Sequence, residues 1–331
     1  MLSYGDFAVS SSSIGQEHLD KLGRHFFSFL ILGIASYAGL IFFSQRGELW
    51  SAFIGFPMSY FPLLIALTLL NYLLRYFRWQ IYLKILGVHL KPWKSFQIFM
   101  AGQAMTLTPA KTGEALKGHL LKSETENAWS VGLPAVFAER LTDLMGVVIL
   151  VALGLSVLPV GAKTALVGMA LCTLFFLTFS RPAFLKPAIR LLAKVPRLSG
   201  KAEQLLKLYG NIRILLSLRP LTASVLLSAA AWFVEGLVLH FSLVAYQEDP
   251  GIIQSTFVYS LSSLTGALSM LPGGLVVTEG GIIGLLSFFG VPFNLASTVT
   301  ILVRLCTLWL PILLGMLFLL FLQRKRPAMP Q

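Results

Sequence analysis

Apolar residues arrive along this chain in blocks of about twenty, the length of helix needed to cross a hydrocarbon core of about 30 Å. Such blocks occupy 26–45, 58–77, 129–158, 163–180, 221–245 and 293–322. Two further apolar stretches, 95–121 and 252–290, are interrupted by Pro and Gly. Charged residues make up only 12% of the 331 and hydrophobic ones 56%, whereas a soluble domain carries roughly 25% charged residues. Too few charges exist to cover a soluble surface. Lipid offers no partner to a backbone N–H or C=O, and the alternating ten-residue pattern of a barrel is absent, so the expected fold is all-α.

The first 25 residues are polar, and the stretch after them is too long for a signal-peptide core, so Phe26–Gln45 reads as a retained first span. The net charge of +12 is unevenly placed. Residues 75–94 hold Arg75, Arg78, Lys84, Lys91 and Lys94 with no acid, 181–220 holds nine Lys or Arg against Glu203 alone, and the tail carries Arg324, Lys325 and Arg326. By contrast, 159–162 is uncharged and 246–251 carries only Glu248 and Asp249. The excess of Lys and Arg on inner loops then places both termini, 78–94 and 181–220 in the cytoplasm, with 46–57, 159–162 and 246–251 outside. The positive charge marks topology and a contact surface for anionic phospholipids, and nucleic-acid binding is excluded. Segment 181–220 alternates apolar and basic residues at helical spacing, which suits helices on the inner membrane face and offers a docking place for a cytoplasmic lipid-modifying enzyme.

The interrupted stretches resemble each other. The first runs Thr108-Pro109-Ala-Lys111-Thr-Gly113-Glu114 and continues to Lys117; the second runs Leu271-Pro272-Gly273-Gly274-Leu-Val-Val-Thr-Glu279-Gly280. Each is an apolar helix that meets a Pro/Gly break, then a Glu beside Gly, then a second short run. Each also precedes a span with an Arg: Glu114 to Arg140 is 26 residues, and Glu279 to Arg304 is 25. The loops flanking the first stretch are assigned to the cytoplasm and those flanking the second to the outside. The expectation is two re-entrant hairpins entering from opposite faces, with about six full spans, in an inverted repeat. Non-helical backbone at membrane depth needs burial in protein or a wet cavity, so a central polar cavity is implied. One membrane domain would cover 1–331: an N-terminal segment and first span (1–57), a first repeat (58–158), a span with a cytoplasmic amphipathic linker (159–220), an inverted second repeat (221–322) and a basic tail (323–331).

Glu139, Arg140 and Asp143 stand in an otherwise apolar helix, within a sector of about 100°. Glu235 lies mid-way through 221–245, and Arg304 well inside 293–322. An uncompensated charge at mid-bilayer costs very roughly 2.5–3.5 kcal/mol, so these groups must be paired or wetted. Local pairing of Asp143 with Arg140 at i,i+3 is expected. Two readings stand: the charges bind a polar group crossing the membrane, or they hold helices together. The Gly-rich run 273–281 lacks the Gly-Lys-Ser/Thr ending of a phosphate loop, and no catalytic triad is recognisable. The five histidines have no metal-ligand spacing, Cys172 and Cys306 read as buried thiols, and neither a metal nor another cofactor is expected.

At Thr108-Pro-Ala-Lys111-Thr-Gly113-Glu114-Ala-Leu-Lys117, Ala138-Glu139-Arg140-Leu-Thr-Asp143, and Leu271-Pro272-Gly273-Gly274-Leu-Val-Val-Thr-Glu279-Gly280 with the later Arg304, the chain resembles the lysylphosphatidylglycerol synthase transmembrane, or flippase-like, family. That family includes the membrane half of the multiple peptide resistance factors. The resemblance covers about 20–322 and implies inverted repeats with re-entrant helices, movement of polar-headgroup lipids between leaflets, and a bacterial or archaeal cytoplasmic membrane. The soluble aminoacyl-transferase domain of those factors has no counterpart here, so lipid aminoacylation is not carried over. The site expected on the residues and the resemblance together comprises Lys111, Glu114, Lys117, Glu139, Arg140, Asp143, Glu235, Glu279 and Arg304, with Pro109, Gly113, Pro272, Gly273, Gly274 and Gly280 as breaks. A lipid translocase is the leading expectation. The alternatives are a membrane subunit or transferase that presents lipid to a cytoplasmic enzyme, and a secondary transporter of a small soluble metabolite.

Overall fold

A computed structural model describes residues 53–108, 116–121, 128–155 and 202–324, with the isolated positions 167, 170 and 174. The expected spans 26–45 and 163–180 lie outside the described residues. Among the described residues the chain is wholly helical, with no strand. After a 3-10 turn at Met58–Tyr60, α1 covers Phe61–Ile85, α2 Pro92–Gln103, α3 Leu116–Leu120 and α4 Ala128–Gly154. The second part holds α5 (Ala202–Leu215), α6 (Leu218–Val244), α7 (Ile252–Leu268), a 3-10 turn at Pro272–Gly274, α8 (Val277–Phe288), α9 (Phe293–Arg304), a π turn at Leu305–Trp309 and α10 (Leu310–Arg324).

Among the described residues, three segments are long and apolar enough to cross a membrane: Met58–Ile85, Leu218–Val244 and Phe293–Leu322. Helix α4 is as long as α6, at 27 residues, and carries Glu139, Arg140 and Asp143 near its middle. Large apolar side chains such as Ile54, Leu226, Leu268 and Leu317 are exposed on this chain, as expected when hydrocarbon rather than water is the outer solvent.

Helix α6 sits at the centre, packed against α1, α4 and α7. Small residues let the backbones approach: a Cβ on Gly146 of α4 would fall 2.8 Å from the Ala229 amide nitrogen of α6, and one on Gly236 of α6 would fall 2.8 Å from Thr256 Cα of α7. Such close crossings replace the hydrophobic driving force, which is absent between helices in lipid. One buried cluster gathers Trp79, Phe99, Leu121, Ala135 and Leu216; a second gathers Leu64, Val238, Val258, Ile282 and Val299.

The described part of the basic segment differs from the sequence expectation. Rather than lying on the membrane face alone, α5 packs against α4: Ile212 and Leu215 join the first cluster, and Asn211 Nδ2 donates to the Ser130 carbonyl at 2.6 Å. Part of its apolar surface is used inside the protein, while Leu206 and Ile214 stay exposed.

At the second break, α7 and α8 lie against each other as two arms. Gly273 and Gly274 take φ of 60° and 66°, which only glycine adopts without strain, and Val276 at 71° is a β-branched residue in the same region. A Cβ on Gly273 would stand 3.0 Å from Leu107 of the first interrupted stretch. The two stretches therefore meet, and Leu107, Leu275, Leu308 and Ile312 form a small buried apolar cluster there.

Candidate functional site

Helical spacing assembles the site. On α1, Asn71, Arg75, Arg78 and Tyr82 recur at four, three and four residues and so share one buried face. On α4, Glu139 and Asp143 stand one turn apart; on α6, Ser228, Trp232 and Glu235 do the same over two turns. Where α1, α4 and α6 face one another, their charges interlock.

Asp143 is the hub. Its Oδ1 accepts from Arg78 Nη1 at 2.6 Å and from Ser228 Oγ at 2.7 Å, and its Oδ2 lies 3.1 Å from Arg75 Nη1. Arg75 then bridges to Glu235, whose Oε1 lies 3.4 Å from Nη2 and also accepts from Asn71. The other oxygen of Glu235 accepts from the Tyr259 hydroxyl at 2.8 Å. Arg75 is fixed further by its Nε bond to Asn71 Oδ1 at 2.7 Å and by stacking 4.8 Å above the Trp232 ring. A chain of charge-assisted hydrogen bonds thus joins α1, α4, α6 and α7, and each charge is compensated inside the protein.

Two further ion pairs connect the segments after the breaks to the spans that follow. Lys117 of α3 meets Glu139 of α4 at 2.8 Å, with its ammonium 4.9 Å from the Phe99 ring centre and 5.3 Å from that of Trp79. Glu279 of α8 meets Arg304 of α9 at 2.7 Å, and the same guanidinium donates from Nη2 to the Gly273 carbonyl at 2.7 Å. The two pairs have opposite polarity along the chain: the cation is on α3 in the first and on α9 in the second.

These groups surround a cavity of about 320 Å³. Its walls include Arg75, Lys117, Glu139, Arg140, Glu235 and Arg304, with Trp232 and Tyr259 between them. On one side the lining passes to Leu264, Leu268, Met270 and Leu271 at the end of α7. Leu268 and Met270 are 69% and 68% exposed, so a charged interior opens past an apolar rim. The cavity is roomy enough to hold several waters or a polar headgroup.

Of the expected site residues, the cavity gathers Lys117, Glu139, Arg140, Asp143, Glu235 and Arg304, together with Gly273 and Gly274. Glu279 reaches it through Arg304. Pro272 is buried at the break, and Gly280 lies outside the lining. Lys111, Glu114, Pro109 and Gly113 lie outside the described residues. The expected i,i+3 pair of Arg140 with Asp143 is present, at 3.5 Å from a side chain 30% exposed, while Arg75 and Arg78 approach Asp143 more closely and from deeper positions. One expectation needs correction: Arg75 and Arg78, counted in the sequence with the basic loop charges, are buried along a helix. Helix α1 runs on to Ile85, and the two residues are 7% and 1% exposed. The hydropathy pattern ends the span at 77 because cations are costly in lipid, but here Asp143 and Glu235 remove that cost. Asn71 is signalled in the sequence by the four-three-four spacing of Asn71, Arg75, Arg78 and Tyr82, whereas Trp232 and Tyr259 carry no such pattern.

The fold and cavity define the class: an all-helical integral membrane protein with a charged internal cavity. Residues 30–315 match the family described as the lysylphosphatidylglycerol synthase TM region, and the chain belongs to that family. A UPF0104 membrane protein of Methanocaldococcus jannaschii is 28% identical over 224 residues, covering 66% of this chain and 94% of its own. Another, from Methanothermobacter thermautotrophicus, is 27% identical over 77% of this chain and 82% of its own, and one from Pyrococcus horikoshii is 27% identical over 72% and 79%. The family ties the chain to lipid-related function in the membrane.

Proposed function

We propose that this protein moves a polar-headgroup lipid between membrane leaflets, with the headgroup in the charged cavity and the hydrocarbon tails outside. The observation that carries this reading is the junction of a charged, 320 Å³ interior with a rim of exposed apolar residues at the end of α7. A soluble metabolite has no use for such a rim, whereas a lipid is amphipathic in the same sense. The family supports the reading, since its description concerns a lipid.

In this mechanism the two helix–break–helix units are re-entrant hairpins of an inverted repeat. Support comes from the packed arms α7 and α8, from the meeting of the two stretches at Leu107 and Gly273, and from the corresponding Lys117–Glu139 and Glu279–Arg304 pairs. The cations attract the lipid phosphate, the carboxylates meet hydroxyl or amine groups, and Arg304 holds the second break closed through the Gly273 carbonyl until the headgroup competes for it. Both termini face the cytoplasm.

The test is reconstitution of the purified protein in liposomes holding phospholipids with fluorescent tails, followed by chemical quenching from outside. Protein-containing vesicles are expected to expose inner-leaflet label that protein-free vesicles protect. Glu279→Gln and Glu114→Gln should each slow that exposure at least tenfold, about 1.4 kcal/mol in the limiting step. Wild-type vesicles that protect their inner leaflet as well as empty ones do would remove the translocase reading.

A further inference from the structure

The buried carboxylates at the cavity are not held equally by their cations. An ammonium or guanidinium nitrogen stands 2.6 Å from Asp143, 2.8 Å from Glu139 and 2.7 Å from Glu279, whereas the nearest to Glu235 among the described residues is at 3.4 Å. That nitrogen is Arg75 Nη2, and the same guanidinium directs Nη1 to Asp143 at 3.1 Å. The remaining partners of Glu235 are neutral: Asn71 donates to Oε1, and the Tyr259 hydroxyl donates to Oε2 at 2.8 Å. Glu235, Arg75 and Tyr259 all line the cavity, so the weakest of these ion pairs is in its wall.

From α1, Arg75 and Arg78 face this region; Asp143 and Arg140 come from α4, Tyr259 from α7 and Arg304 from α9. A phosphate oxygen that enters the cavity competes for Arg75 and displaces the longer of its two carboxylate contacts, the one to Glu235. Glu235 then keeps only neutral donors and stands beside a new negative charge, two circumstances that favour the protonated form of a buried carboxyl. The neutral acid fits the same surroundings. A proton on Oε2 is donated to the Tyr259 oxygen, the hydroxyl turns its own hydrogen toward Thr307, its other polar neighbour, and Asn71 still donates to Oε1. Asp143 has no such reason to take up a proton, because Arg78 stays on it at 2.6 Å whatever happens to Arg75.

Resting on the lipid-translocase reading for the ligand, we propose that Glu235 is a proton-binding site coupled to the headgroup through Arg75. One proton passes from cavity water to Glu235 Oε2 as a singly charged phosphodiester takes over Arg75, and it returns to water when the phosphodiester leaves. The arriving negative charge and the arriving proton cancel, so the buried network keeps its net charge. Coupling of this kind is reciprocal: acid tightens headgroup binding, and headgroup binding draws in a proton. Where the cavity serves the two leaflets in turn, a difference in pH across the membrane biases the direction of lipid movement.

The experiment titrates the full-length protein in detergent with dihexanoyl phosphatidylglycerol, whose phosphodiester stays singly charged over about pH 5–8, the range in which a shifted carboxyl is read. Heats of binding in two buffers of different ionisation enthalpy count the protons exchanged. The wild type should take up about half a proton or more per lipid somewhere in that range. Its affinity should fall as pH rises, by up to about tenfold per unit for one proton, because the bound form holds the extra proton. Glu235→Gln, neutral at every pH, should take up about a tenth of a proton or less and bind with little pH dependence. If that variant does not fold, Glu235→Asp is read instead: it keeps an acid on a shorter stem and should move the pH of greatest uptake by about one unit or more. No uptake by the wild type at any pH in the range, release in place of uptake, or absence of binding overturns the proposal. So does a wild-type profile retained in a folded variant. Proton uptake on binding without lipid movement in liposomes keeps the proton site and removes the translocase reading, whereas lipid movement without proton uptake does the reverse.

Discussion

Replacing Asp143 by Asn removes the one negative charge shared by Arg75, Arg78 and Arg140, at 3.1, 2.6 and 3.5 Å. Arg75 retains Glu235 at 3.4 Å, but Arg78 keeps no other carboxylate within salt-bridge distance among the described residues. Asn also turns one carboxylate oxygen into an NH2 group facing guanidinium donors. Removing one partner from a buried ion pair costs about 3–5 kcal/mol, which at 1.4 kcal/mol per tenfold is about two to nearly four powers of ten in the unfolding equilibrium. Arg140→Gln gives up a longer i,i+3 contact from a side chain 30% exposed, a contact of about 0–1 kcal/mol. Reversible unfolding in mixed micelles of rising dodecyl sulfate fraction measures both. The double variant Asp143→Asn with Arg78→Met should recover at least half of the loss, because it removes the stranded cation and fills its place with apolar atoms. The reasoning fails if Asp143→Asn costs less than about 1 kcal/mol, or if Arg140→Gln costs as much as Asp143→Asn.

Three further outcomes follow. Gly146→Ala should destabilise by more than about 1 kcal/mol in the same unfolding assay, since its Cβ would press 2.8 Å from the α6 backbone, while Gly210→Ala, with nothing within 4 Å, should gain about 0.5–1 kcal/mol. Tyr259→Phe should cost about 1.5–3 kcal/mol of stability by removing the hydroxyl bond to Glu235, with helix content by circular dichroism unchanged. Arg304→Lys should keep Glu279 neutralised yet lose the fork that also holds the Gly273 carbonyl, so lipid exposure in liposomes should change at least threefold while folded yield stays near wild type.

The legible parts of this protein were those in which local chemistry and membrane cost agree. Pro272-Gly273-Gly274 announces a break that no helix can carry through, and Glu279 with Arg304 could be singled out because each is expensive in lipid unless compensated. For the same reason the expected span stops short of Arg78, and Arg75 counts with the loop charges. A hydropathy pattern charges them the price of lipid, and only the three-dimensional approach of Asp143, 68 and 65 residues away in the chain, cancels it. Trp232 and Tyr259 carry no signal in an apolar helix; their roles come from what stands opposite them. Arg140 illustrates the converse, because its nearness to Asp143 in sequence suggested a partnership that two more distant arginines hold more tightly.

The meeting of Leu107, Leu275, Leu308 and Ile312 has an electrical consequence. A cavity rich in charge and open on one side shortens the insulating part of the membrane, so the transmembrane voltage falls mainly across whatever dry layer remains. In the proposed translocase that layer includes four aliphatic side chains where the two interrupted stretches meet. Each elementary charge carried across a drop of 100 mV exchanges about 2.3 kcal/mol with the field, and the drop is concentrated over a short distance. On the proposed translocase reading, a headgroup with net charge would feel little of it while resting in the cavity and nearly all of it while parting these side chains, whereas a neutral or zwitterionic one would cross the same barrier without regard to the membrane's polarisation.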